Sequence, residues 1–127
     1  MKTAEIKMPE LHRLHKEWAN KLNFYRDDIK SLEKRVEEIA SKYTDKEVLA
    51  IIEHFQNQIK IQRNEMDILI HDINAEEKAL QENISDNPTA WEHRKAAHTN
   101  INERMITFEK LFAEMRRELI GFAAKYM

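Results

Sequence analysis

Hydrophobic residues recur along this chain at alternating steps of four and three, and they do so in three long runs. From Leu11 the steps reach Trp18, Leu22, Tyr25, Ile29, Leu32, Val36, Ile39 and Tyr43, with His15 as the one polar interruption. From Val48 they reach Leu80 through Ile52, Phe55, Ile59, Met66, Leu69 and Ile73, interrupted by Gln62 and Glu76. From Trp91 they reach Tyr126 through Ile101, Met105, Phe108, Phe112, Met115, Leu119 and Phe122, interrupted by Arg94 and His98. A 3.5-residue repeat held this long is the pattern of helices packed knobs into holes.

The gaps between the runs carry turn chemistry. Thr44-Asp45-Lys46-Glu47 has the form of a capping box, in which Thr44 accepts from the Glu47 amide and Glu47 reaches back. Asp86-Asn87-Pro88 offers a cap followed by a proline at the first helical position, where its missing N–H costs nothing. Pro9 can open the first helix in the same way. The pattern predicts helices at about 9–42, 45–83 and 88–125, within one domain spanning residues 1–127. Short connections make sequential helices antiparallel neighbours. The expected fold is therefore all-α, an antiparallel up-down-up bundle of three long coiled-coil-like helices.

Composition agrees. One glycine and two prolines leave few places for turns, and 35% charged residues suit long solvated helix faces. The 21 basic and 23 acidic residues are interspersed, for a net charge of −2. The longest basic run is Arg116-Arg117, so the counterion-displacing face of a nucleic-acid binder is not expected. Without cysteine there is no disulfide framework, thiolate metal site or thiol nucleophile. The opening MKTAEIKMPE lacks the apolar segment of a secretory signal, and no apolar run approaches the roughly 20 residues of a membrane span. The expected compartment is the cytoplasm, with no nucleic-acid or membrane partner.

The polar seam members are the candidate chemistry. Centring the first turn between Tyr43 and Val48 sets Leu22 against Leu69 and His15 against Glu76. Setting Val48 against Tyr126 places Glu76 against His98. His15, Glu76 and His98 then share one layer, with Arg94 in the next. Such a layer has several readings. It can be a buried polar layer that fixes register at some cost in stability. It can be an exposed end of the bundle. It can be a metal site, in which His15, Glu76 and His98 would take Zn or Fe, with His12 one turn away as a fourth ligand. It can also be a pH-sensitive contact. The Glu-x-x-His repeat of di-iron bundles and the His-Glu-x-x-His of zinc proteases are both absent. So are a glycine-rich phosphate loop and a local serine triad. His54, His71 and His93 fall off the seams and read as surface residues. The chain is expected not to be an enzyme and to carry no required cofactor.

A second set of apolar residues lies off the seams: Leu49, Ile51, Ile61, Ile68 and Ile70 in the second helix, and Ile106, Ala113 and Ile120 in the third. They either widen the core stripe or form an exposed band. In the second case Ile61, Ile68, Ile106 and Ile120 form an interface. The occupant would be a second copy, as a two-fold homodimer through helices 2 and 3, or another helical protein.

At EHFQNQ (53–58), LIHDI (69–73) and FAEMRREL (112–119), the chain resembles a group of small, uncharacterised all-helical bacterial proteins. That resemblance implies no activity. Three long helices with Trp18 in the first and Trp91 in the third also resemble a spectrin-type module, which implies a manner of packing and nothing about function. The expected role is protein–protein interaction or scaffolding, with a metal-binding bundle as the alternative.

Overall fold

A computed structural model describes residues 7–82 and 88–126. They form three α-helices: α1 (Met8–Ala40), α2 (Lys46–Gln81) and α3 (Pro88–Tyr126). No strand occurs among the described residues. With 33, 36 and 39 residues, the helices are about 50–60 Å long. Their ends fall within two residues of the periodicity-based expectation.

The ends differ in chemistry from expectation at one place. Pro9 lies in the first turn of α1 after an extended Lys7, and Pro88 is the first residue of α3. At α2, however, the N-cap is Asp45, not Thr44, and its side chain makes no capping hydrogen bond. The capping box is therefore not formed. The Asp45 carbonyl accepts the first intrahelical bond, from Leu49 N–H at 3.0 Å, and Glu47 places negative charge at the positive end of the helix dipole. Asp86 and Asn87 lie outside the described residues. α1 ends by tightening: Ser41 N–H reaches the Glu37 carbonyl, Lys42 N–H reaches Ile39, and Ser41 Oγ donates to the Glu38 carbonyl at 2.7 Å.

Every seam position is buried or half-buried, and Ala123 is the one fully buried residue outside the seams among those described. The three helices form a bundle around this core. Residue numbers rise on α1 as they fall on α2: His15 meets Glu77, Arg26 meets Asp67 and Glu33 meets Arg63. α1 and α3 rise together, with His15 near His98, Tyr25 bonded to Glu109 and Tyr43 to Tyr126. Between α2 and α3, Asp72 pairs with Arg104 at 2.9 Å and Phe55 packs on Phe122.

Aromatic contacts divide the core into levels. At the α1–α2 turn, the rings of Tyr43 and Tyr126 meet edge to face at 5.5 Å, and Tyr43 Oη donates to the Tyr126 carbonyl at 3.0 Å. At mid-height Tyr25 packs on Phe108 and Phe112. Its hydroxyl donates to Glu109 at 2.5 Å; burial first, then this carboxylate, pushes the phenol up to about 12. At the far end lie His15, Trp18 and His98.

The second apolar set divides in the fold. Leu49, Ile70 and Ile120 are half-buried against the core, so they widen it. Ile120 is thus not a freely exposed member of an interface band. Ile51, Ile61, Ile68 and Ile106 are exposed, as are Phe24 and Leu111.

The contrast between seam and surface can be measured. Leu69 is wholly buried, and Leu69→Ala should cost about 2–5 kcal/mol by urea denaturation. Ile61→Ala, in a monomeric chain, should stay within about 0.5 kcal/mol of the parent.

Candidate functional site

The polar layer forms, with a different carboxylate at its centre. His15 and His98 are buried, and their ring centroids lie 6.2 Å apart, so the two imidazoles expected in one layer do share it. The acid that reaches His15 is Glu77, not Glu76, and neither is hydrogen-bonded to His98 among the described residues. His15 Nδ1 donates to Glu77 Oε1 at 2.8 Å, His12 Nδ1 donates to Oε2, and Gln81 Nε2 donates to the same oxygen at 2.9 Å. Glu76 pairs with Arg94 instead, at 3.5 Å. Successive helical residues point about 100° apart. Residues 76 and 77 therefore straddle the seam, one turned to α3 and the other to α1. Counting by threes and fours assigns the seam to one of them and has no means of seeing the other.

Partial burial pushes the Glu77 carboxyl up, but hydrogen bonds from His15, Gln81 and His12 outweigh it and hold it below the usual range. A carboxylate is only an acceptor, so both imidazoles must carry their proton on Nδ1 to satisfy it.

His98 has the opposite surroundings. Its ring stacks on Trp18 at 4.9 Å and 23°, and its Nδ1 is buried with no partner among the described residues. Burial, then the nearby charge of a protonated His15, hold this imidazole below its ordinary value, and Glu10 offsets this in part. Its contact with Trp18 was not expected from the pattern, although both positions were on the seams. Residues 18 and 98 belong to adjacent layers, and only the ring orientations bring them together.

Among the described residues, no group of three or more His, Asp or Glu side chains is arranged to hold a metal ion. The geometry gives a reason for the expected His15, Glu76 and His98 set. Tetrahedral ligands about 2.0–2.1 Å from zinc sit roughly 3.3 Å from each other. Here the Glu77 oxygen lies 2.8 Å from the His15 nitrogen, in direct hydrogen-bond contact, and Glu76 is engaged with a guanidinium. Among the described residues, neither Zn nor Fe is given a three-ligand set.

The other candidate surface is apolar. A groove of about 470 Å³ runs between α2 and α3, lined by Ile61, Gln62, Glu65, Glu103, Arg104, Thr107, Phe108 and Leu111. Ile106 does not line it. Three residues after Ile106, Glu109 bonds to Tyr25 of α1, so Ile106 stands toward the other edge of α3. The band expected along α2 and α3 is thus split between two faces. Leu111, which the sequence reading did not single out, belongs with Ile61. Its signal was its place one residue before the seam member Phe112. His54, His71 and His93 are exposed, and no helix among the described residues is long and apolar enough to cross a membrane.

Comparison of the chain with family models, with curated proteins and with solved structures finds no match in any of the three.

The two titrating groups should act at different pH. The His98 imidazole is depressed in the folded state, so the unfolded chain binds more protons below about 6.5. Stability should fall as pH drops from 6.5 through the folded value, and His98→Leu should flatten this part of a urea-midpoint profile. Glu77 is also depressed, and its contribution is present above about 4.5 and lost as pH falls through its folded value. Glu77→Gln should remove that lower limb and leave the upper one. A steep loss between pH 6.5 and 5 that persists in His98→Leu would contradict the assignment.

Proposed function

We propose that this chain is a non-enzymatic interaction or scaffolding protein, an up-down-up bundle of coiled-coil type that works in the cytoplasm and self-associates as a homodimer. The observation that carries this reading is the exposure of large apolar side chains over a core that is already complete. Phe24 is 68% exposed and Ile106 60%, although each helix buries its own seam. Side chains of this size on a solvated helix face add nothing to the monomer's core, and they fit a surface that another molecule covers.

The α1–α3 edge is the better support for a two-fold contact. Of the three helix pairs, α1 and α3 touch least. Phe24 packs beside Tyr25, whose hydroxyl reaches Glu109, and Ile106 lies one turn from Glu109. Two ion pairs cross this edge: Lys21 with Glu109 at 3.7 Å, and Asp28 with Arg116 at 2.8 Å. A face with neutralised charges can meet its own copy without placing like charges together. An isologous contact of ordinary size buries about 800 Å² per partner, an area that two adjacent long helices can supply.

The histidine layer fits this reading as a structural element. One carboxylate held by two imidazoles and an amide ties α1 to α2 at the end of the bundle opposite the α1–α2 turn. Polar layers of this kind restrict alternative registers.

Light scattering across a concentration series should give twice the chain mass at the upper end. Phe24→Asp with Ile106→Asp should yield a monomer whose circular dichroism is unchanged. A parent chain that stays monomeric at millimolar concentration would overturn the homodimer.

A further inference from the structure

The geometry points to the α2–α3 groove as a docking site for a basic amphipathic helix from a different protein. This rests on the reading of the chain as an interaction protein, but not on its being a homodimer.

The groove combines three features. Its apolar part is made by Ile61, 63% exposed, and Leu111, 45% exposed, over the buried ring of Phe108. Aliphatic side chains on two adjacent helices, with an aromatic ring between them, form the kind of trough into which an amphipathic helix lays its apolar face.

Its charge is acidic. Glu65 stands on the α2 side and Glu103 on the α3 side, and neither makes an ion pair among the described residues. The cation that lines the groove, Arg104, is already neutralised by Asp72 at 2.9 Å. On the same flank of α3, Glu114 and Glu118 follow Leu111 at steps of three and four, also without an ion pair among the described residues. Cross-helix ion pairs occur on all three edges of the bundle, and none of them uses Glu65 or Glu103. Within the groove, the two carboxylates have no cation of their own among the described residues.

The third feature is independent of charge. Gln62 lines the groove, is only 9% exposed, and its amide oxygen has no hydrogen-bond donor among the described residues. Gln58, one turn earlier on α2, carries a second buried oxygen without a donor. A buried acceptor left unmade costs free energy, and the one on Gln62 lies in this acidic trough. What is missing is donors and positive charge, which Lys and Arg side chains flanking an apolar helix stripe supply together. A second copy in two-fold register is a poorer occupant, because it would bring Glu65 and Glu103 against their own like charges.

A labelled synthetic helix of about four turns, with leucines at steps of four and three and lysines elsewhere, serves as the probe; the same peptide with glutamates for lysines is its control. Fluorescence anisotropy against the full chain should show binding of the lysine peptide, weakening with salt, and none of the glutamate peptide. The double variant Glu65→Lys, Glu103→Lys should bind roughly tenfold or more weakly, and Leu111→Asp should bind weakest, while both keep the parent circular dichroism. Phe24→Asp on the other edge should bind as the parent does, which separates the groove from general stickiness. Equal binding by the parent and the charge-reversed variant would overturn the inference, as would loss of binding in Phe24→Asp alone. Light scattering on the same variants keeps the two proposals apart. A monomeric parent that still binds the lysine peptide defeats only the homodimer. A dimer that dissociates in Leu111→Asp but not in Phe24→Asp shows that a second copy fills the groove, and defeats the basic-helix partner.

Discussion

Burial of one continuous apolar stripe per helix is the constraint on which the rest of this structure depends. A helix longer than 30 residues hydrogen-bonds its own backbone except in its end turns, yet most of its stability in a protein comes from packing its apolar face. What fixes three such helices is the removal of their seams from water, at about 1.5–3 kcal/mol for each large apolar side chain. The aromatic levels reinforce it locally. Tyr43 and Tyr126 tie the end of α1 to the end of α3, and Tyr25 spans from the core rings to a surface carboxylate. Cross-helix ion pairs decorate the edges, but exposed pairs are worth at most about 1 kcal/mol each and do not hold the bundle together.

The end that carries His15, Trp18 and His98 is built differently. Here apolar burial gives way to a carboxylate that gathers donors from α1 and from its own helix, beside an imidazole that is stacked and has no partner at Nδ1 among the described residues. The two buried histidines are six ångströms apart and have opposite environments. One is satisfied by Glu77, and burial holds the other below the usual imidazole range. This end therefore trades some stability for directionality, because hydrogen bonds have a preferred geometry and methyl groups do not.

The outer faces separate into two kinds. Along α1 and α3, exposed apolar residues sit beside two cross-helix ion pairs. Along α2 and α3, Ile61 and Leu111 sit beside Glu65 and Glu103, which make no ion pair among the described residues. Both faces follow from the same fact: each helix has more apolar residues than its seam requires, and where the excess falls relative to the neighbouring helix decides whether it widens the core, as Ile120 and Ile70 do, or stays in solvent, as Ile61 and Ile106 do.

The repeat of threes and fours by itself determined three helices, their limits to within two residues, and which side chains are buried, since a helix has one rotation that hides such a stripe. It also brought His15 and His98 into one layer, because layers follow from counting residues away from a turn. The tertiary structure decided what counting cannot reach. Glu77 displaces Glu76 because two neighbouring residues straddle a seam and the flank that meets α1 takes the one turned toward it. Asp45 displaces Thr44 as cap because a one-residue shift in the start of α2 costs little along the chain. Trp18 meets His98 because ring planes answer to packing and not to period. Ile61 and Ile106 part company because residues on one helix are assigned to faces only when the neighbours are in place.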